Sequence, residues 1–192
     1  MHFGRTEFLQ GAPPHLPHDP TRTEKFLGLP RQNLTQLYIG CPVWSERAWV
    51  GELYPVGSKP SEFLSLYSRA FRSVELNSSF YHPPTPHQVQ QWKEQTPTGF
   101  RFCPKVYRGI TENLASVDLP PLVESFCAAI SHFEDRLGLC FAQFPETFTP
   151  KHKPLLERFL EVWPPSLSLS VELRHPTWFA HHALLDDVVN LF

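Results

Sequence analysis

The chain has 192 residues, with 17 Lys and Arg against 19 Asp and Glu, and its formal net charge of −2 removes any broad electrostatic case for a nucleic-acid or anionic-membrane partner, leaving only local patches. Hydrophobic residues at 41% and aromatics at 14% suit a folded core and exclude a disordered polyelectrolyte. Proline is the outlier, 21 residues or about 11% where ~5% is usual, and it predicts many short connections and few long helices.

Residues 1–36 carry Gly11-Ala12-Pro13-Pro14-His15-Leu16-Pro17-His18-Asp19-Pro20 and no sustained period. They read as a Pro-rich N-terminal arm that packs on the body through Phe3, Phe8, Phe26 and Leu27. The body is expected over 37–192. Its strand-like runs are Leu37–Gly40, Ser73–Asn77, Phe100–Cys103, Leu137–Gln143 and Leu167–Leu173. Amphipathic helical patterns alternate with them at 60–71, 86–95, 120–132 and 151–162, and another begins at His182. Such alternation predicts parallel strands with crossover helices, the α/β class. The strand starts are spaced by roughly 32 residues, a βα unit, so a closed (β/α)8 barrel of ~250 residues would need eight units where this chain holds about five. The fold expected is therefore an incomplete TIM-barrel-type domain.

No apolar run approaches the ~20 residues of a membrane span, and the start Met1-His2-Phe3-Gly4-Arg5 has no apolar signal core. A cytoplasmic protein with no membrane partner is expected. Cys41, Cys103, Cys127 and Cys140 lie tens of residues apart without paired spacing, so they read as free thiols rather than zinc ligands or disulfides.

Strand parity supplies the first chemistry. Val74 and Leu76 share one face of their strand, and Ser73, Glu75 and Asn77 share the other. Leu167, Leu169, Val171 and Leu173 likewise oppose Ser168, Ser170, Glu172 and Arg174, while Phe100 and Phe102 oppose Arg101, Cys103 and Lys105. A parallel sheet covered on both sides reads as continuously apolar, so this alternation points to a barrel interior with polar content. Gln143 breaks the rule by sharing the parity of Leu139 and Phe141, which suggests a bulge. Polar groups gather where strands enter loops: Trp44, then Glu75, Asn77 and Tyr81, then Lys105 and Tyr107, then Gln143, then Glu172, Arg174 and His175. Ligands bind at that edge in α/β folds. The set divides into acid or base (Glu75, Glu172), anion holder (Lys105, Arg174) and orienting amides (Asn77, Gln143). Plainer roles stand beside these: Glu75 neutralised by Lys105 or Arg174, Glu172–Arg174 as a rim pair, His175 as a loop residue bonded to backbone, and the tryptophans as packing. No phosphate loop, nucleophile elbow, H-E-x-x-H or dinucleotide fingerprint is present, so no nucleotide cofactor is expected.

The blocks Gly40-Cys41-Pro42-Val43-Trp44, Val74-Glu75-Leu76-Asn77-Ser78-Ser79-Phe80-Tyr81, Gly99–Lys105, Phe141–Pro145 and Val171-Glu172-Leu173-Arg174-His175-Pro176-Thr177-Trp178-Phe179 resemble, in the same order, those of the DUF72 (YecE-like, UPF0759) family. The resemblance covers about residues 37–180. It implies a TIM barrel related in shape to xylose-isomerase and endonuclease-IV-like barrels, no established activity, and a barrel mouth built from Glu75, Asn77, Tyr81, Lys105, Gln143, Glu172 and Arg174. Pro42-Val43 stand where many members have smaller residues. The family also continues past the E-x-R-H-P-x-W-F block with strands that include an Arg-Leu-His-Gly-type segment, absent here, so the chain reads as a truncated member or fragment.

Three functions follow as expectations. The first is a hydrolase or lyase acting on a phosphate- or sugar-containing substrate, with Glu75, Lys105 and Glu172 catalytic and Trp44, Asn77, Tyr81, Gln143, Arg174 and His175 binding. A divalent metal is not favoured, because Glu75, Glu172 and His175 are too few ligands for a multi-metal site. The second is a non-catalytic nucleic-acid or sugar binding module stacking its ligand on Trp44, Tyr81 and Tyr107. The third is an inactive truncated member whose open sheet edges drive self-association.

Overall fold

The structure, a computed structural model, describes residues 37–180 and Val188. The expectations for the arm at 1–36 and for the helix from His182 lie outside the described residues, except that Val188 is helical and buried.

Among the described residues five strands, β1 (Gly40–Cys41), β2 (Ser73–Leu76), β3 (Arg101–Pro104), β4 (Cys140–Gln143) and β5 (Leu169–Glu172), alternate with helices. The sheet β1-β2-β3 is parallel throughout, as is the pair β4-β5. Parallel bridges Phe102↔Leu137 and Lys105↔Phe141 join the two, and hydrogen bonds from Gly138 N to Phe102 O (2.7 Å) and from Val106 N to Phe141 O (2.9 Å) close the seam. Each strand therefore lies beside its predecessor in the chain. The expected bulge near Gln143 is not there: Cys140–Gln143 pairs with Leu169–Glu172 residue for residue. The parity is regular, and it is the apolar Leu139 and Phe141 that share the polar side of the sheet, with Cys140 and Ala142 wholly buried on the other.

The helices begin where proline or a side-chain cap favours them. A 3-10 turn at Pro60–Glu62 leads into α1 (Phe63–Ala70), with the Glu62 carboxylate accepting from Lys59 N at 2.7 Å. Thr85 and Gln88 form a capping box for α3 (Pro86–Glu94), which follows the single turn α2 (Ser78–Tyr81). After the short α4 (Arg108–Thr111), α5 (Leu119–Ser131) buries Leu119, Val123, Phe126, Cys127 and Ile130, and α6 (Lys153–Val162) buries Leu156 and Phe159.

Against these helices the sheet turns Val74, Leu76, Phe102, Cys140 and Ala142, none more than 1% exposed. Aromatic rings fill the layer: Phe102 lies 4.6 Å from Phe133 and 5.0 Å from Phe100, and Tyr54 stacks on Phe63 at 4.8 Å. The Tyr67 hydroxyl, fully buried on α1, donates to Ser73 O (2.9 Å) and accepts from Cys41 N (2.6 Å), so it ties β1 to β2. Gly40 belongs to that junction because a Cβ there would sit 2.0 Å from Ser73 O. β1 is shorter than the run Leu37–Gly40 suggested, and Pro42, which has no N–H, ends it.

Candidate functional site

β2 carries Glu75 to its C-terminal end with the side chain on the polar face, because Val74 and Leu76 take the buried parity. Asn77 follows directly. Its amide donates to Glu75 Oε1 at 3.0 Å and to Pro42 O at 3.1 Å, which fixes the carboxylate against the end of β1. No cation pairs with Glu75 among the described residues, so neither Lys105 nor Arg174 neutralises it. Glu75 stands between two hollows. One is a cleft of about 280 Å³ past the strand ends, walled by Trp44, Asn77 and Trp92; the other is a cavity of about 330 Å³ over the polar face, reaching Cys103, Phe141 and Ser170. Trp44 packs edge-on to Trp92 at 5.7 Å, and its carbonyl accepts from the Tyr54 hydroxyl at 2.6 Å. Burial pushes that phenol up to about 12.

The ends of β3, β4 and β5 carry a second array. Lys105 Nζ donates to Gln143 Oε1 (2.8 Å), and Gln143 Nε2 donates to Glu172 Oε2 (2.6 Å). Glu172 Oε1 faces Arg174 Nε at 3.5 Å, and Arg174 Nη2 bonds Glu146 Oε1 at 3.0 Å. Charge therefore alternates along the rim, and the Gln143 amide has one orientation only, oxygen to the lysine and nitrogen to the carboxylate. Lys105 Nζ also lies over the rings of Phe80 (4.7 Å) and Phe141 (5.8 Å), contacts that hold an ammonium without consuming its charge. Beneath it, the Ser79 hydroxyl is 2.7 Å from both Leu76 O and Lys105 O and fastens the end of β2 to that of β3. Cys103, on the polar face one residue before Pro104, has its thiol pushed up by burial first and by the Glu75 carboxylate, against the lowering effects of a Leu139 backbone hydrogen bond and Arg101.

The structure thus brings Lys105, Gln143, Glu172 and Arg174 into one line, with Glu75, Asn77 and Trp44 together one strand away. Tyr81 is 57% exposed and meets Phe80 edge-on at 5.3 Å. His175 lies outside both arrays: its Nδ1 accepts from Thr177 N (3.2 Å) and faces Thr177 Oγ1 (2.7 Å), capping the 3-10 turn Pro176–Phe179. Trp178 is core, with Nε1 donating to Phe148 O at 2.6 Å. Ser79, Phe80 and Glu146 join these arrays without being singled out by strand parity. Glu146 had a signal, since it follows Phe144-Pro145 just past the fourth strand, where the rule for polar rim residues applies. Among the described residues no group of three or more His, Cys, Asp and Glu side chains is placed to hold a metal ion. No helix among them is long and apolar enough to cross a membrane.

A family described as "Protein of unknown function DUF72" matches residues 38–191. The chain is similar to the UPF0759 protein YecE of Escherichia coli K12, 38% identical over 144 residues that make up 75% of this chain and 50% of that one. It is similar also to the UPF0759 protein YunF of Bacillus subtilis 168, 25% identical over 152 residues, 75% of this chain and 52% of that one. The chain thus spans about half the length of the curated relatives it matches. Among solved structures, a DUF72 family protein (TM1631) of Thermotoga maritima superposes with a TM-score of 0.67 at 31% identity over 80% of this chain and 61% of that one. A DUF72 family protein (EF0366) of Enterococcus faecalis V583 gives 0.66 at 21% identity over 80% and 56%, a likeness of fold.

Proposed function

This chain belongs to the DUF72 (UPF0759) family, and on that premise we propose that its strands are part of a (β/α)8-type barrel whose C-terminal edge binds a phosphate- or sugar-containing substrate and hydrolyses or eliminates it. Parallel strands laid side by side in chain order, helices on one face and alternating polar residues on the other support the barrel. The observation that carries the chemistry is the pairing of unlike carboxylates at that edge. Glu172 is committed to Arg174 and Gln143, which hold it in place. Glu75 is held at one oxygen by a neutral amide, with no counter-ion among the described residues, and opens on two hollows. Glu75 is accordingly the proton-transfer group, and Lys105, oriented by Gln143 and resting on Phe80 and Phe141, is the cation for an anionic or developing oxyanion oxygen. Arg174, already shared by two carboxylates, acts through Glu172 rather than on substrate. Trp44 supplies a face for a sugar or base beside Glu75. Four free thiols among the described residues support the cytosol as the place of action.

The test is a screen of the purified chain against aryl phosphate esters and aryl glycosides, repeated with Glu75→Gln and Lys105→Met. Glu75→Gln lowers turnover by about 10²–10⁴-fold, the usual share of a positioned proton-transfer group. Lys105→Met acts most strongly on anionic substrates. Binding that persists with no turnover, unchanged by either substitution, would overturn catalysis in favour of a binding module.

A further inference from the structure

We propose that the cleft between Glu75 and Trp44 is a subsite for one neutral sugar ring, read at two adjacent hydroxyl groups by Asn77 Oδ1 and Glu75 Oε2. An anionic group on the substrate then belongs at Lys105 and not beside Glu75. The inference rests on the reading above for the place of the site, not for the reaction.

Hydrogen-bond polarity is the first ground. Both amide hydrogens of Asn77 are spent, one on Glu75 Oε1 at 3.0 Å and one on Pro42 O at 3.1 Å. The amide cannot flip without turning its oxygen on two other acceptors, so Oδ1 is what it leaves to a ligand. Among the described residues neither Asn77 Oδ1 nor Glu75 Oε2 has a hydrogen-bond partner, and both residues line the cleft. Two acceptors on groups bonded to each other call for a ligand that donates twice from neighbouring atoms. A pair of adjacent hydroxyls does so, and the carboxylate makes the stronger of the two bonds. Ser45 and Ser78 line the same cleft, and a hydroxyl there can donate or accept as the ring requires.

Charge, shape and size narrow the ligand further. No Lys, Arg or His is among the residues lining this cleft or the hollow on the other side of Glu75. A phosphate placed here would meet an unpaired carboxylate with no cation to offset the repulsion. The aromatic walls are Trp44 and Trp92, set 73° apart at 5.7 Å. Trp92 is anchored in the core by stacking on Phe133 (6.1 Å) and Phe102 (6.3 Å), so the corner is fixed before any ligand arrives. A corner of this kind cannot sandwich a flat base between parallel rings, whereas a sugar ring lays its C–H face on one wall and its rim against the other. The volume of about 280 Å³ lies just below the roughly 300–1,000 Å³ of pockets for drug-sized ligands and suits a single ring.

The test titrates the full chain with methyl pyranosides, their deoxy analogues, a pyranose phosphate, inorganic phosphate, adenine and cytosine. It follows the indole N–H signals of Trp44 and Trp92 by nuclear magnetic resonance, assigned from the Trp44→Phe and Trp92→Phe chains. A neutral pyranoside with adjacent hydroxyls shifts both signals, and the analogue lacking one of that pair binds about tenfold more weakly or worse, the usual loss of a hydrogen bond to a charged group. This series is read in the parent chain and needs no variant to fold. In the Asn77→Ala chain the pyranoside falls to the affinity of one deoxy analogue, and that analogue loses nothing further, a coupling that a merely structural role for Asn77 does not produce. The pyranose phosphate binds more tightly than the neutral glycoside, and Lys105→Met removes that gain. The proposal is overturned if inorganic phosphate shifts the two indole signals, if adenine or cytosine shifts them and the pyranosides do not, or if deoxygenation at every ring position leaves affinity unchanged. Turnover is a separate readout. Pyranoside binding without turnover overturns the catalysis and upholds the subsite, whereas turnover of aryl phosphates without pyranoside binding overturns the subsite alone.

Discussion

Replacing Tyr67 by Phe removes one oxygen from the centre of the β1–β2 junction and keeps the ring, its stack on Trp49 and its contact with Phe71. The hydroxyl is fully buried, donates to Ser73 O at 2.9 Å and accepts from Cys41 N at 2.6 Å. Its own proton is held tightly, burial raising the phenol well above its ordinary value. The substitution leaves one donor and one acceptor short of a partner at a site where water has little access, at a cost of about 1–3 kcal/mol. In a domain of this size each kcal/mol corresponds to about 2–4 °C in midpoint. The effect extends to the rim, because Cys41 precedes Pro42, whose carbonyl orients Asn77 and through it Glu75. Urea titration by circular dichroism reads the global loss, with an unchanged slope. Amide exchange reads the local one, fastest at Cys41. A Tyr67→Phe chain within about 0.5 kcal/mol of the parent, the range of indifferent surface changes, with exchange at Cys41 unaltered, would refute the junction.

Gly40→Ala tests the same junction from the other side. The new Cβ would lie 2.0 Å from a backbone oxygen, and the expected loss is about 1–3 kcal/mol or more, seen as a lowered midpoint or an insoluble chain. Gln143→Leu severs Lys105 from Glu172 at a half-buried position and lowers stability by about 1 kcal/mol; a cycle with Lys105→Met gives a coupling of at least about 0.5 kcal/mol. Alkali tests the buried thiols. Burial lifts Cys127 from 9.0 to about 11 and Cys140 from 9.0 to about 12, the latter helped by Cys127 and Cys103. Both therefore hold their protons more tightly folded than unfolded, so the stability they give is whole below the unfolded value of 9.0 and is lost as pH rises through the folded values. Thermal midpoints should be flat up to that point and fall beyond it, with a shallower fall in the Cys127→Ala/Cys140→Ala chain.

Much of this architecture was legible because period-2 and period-3.6 patterns report directly on which face is buried. Val74, Leu76, Phe100 and Phe102 fall on the buried side as their alternation requires, and α1, α3, α5 and α6 begin within two or three residues of the expected places. At Gln143 parity misleads, because an apolar residue does not always mark the helix side. Phe141 lies on the polar face, where its ring serves the Lys105 ammonium, and small Cys140 and Ala142 face the helices. Partnership was the harder quantity. Lys105 and Glu172 were each picked out at a strand end, but that Gln143 sits between them depends on strands β3, β4 and β5 being neighbours in register, and Ser79 and Phe80 enter only through the one-turn α2. His175 shows the converse: a residue type suited to catalysis spent on a local cap two positions away.

The strand order has a kinetic consequence. Because among the described residues every strand pairs with the one made just before it, none of these pairings waits for a distant part of the chain, and each loop to be closed is only about one βα unit long. The unit can accordingly build itself during synthesis, each new strand docking on the last as it leaves the ribosome, and the growing margin is always the newest strand. β5 is the margin at which that addition stands among the described residues. An assembly made in this way joins along a seam rather than by rearrangement, since the strand that receives the next one is already formed and aligned.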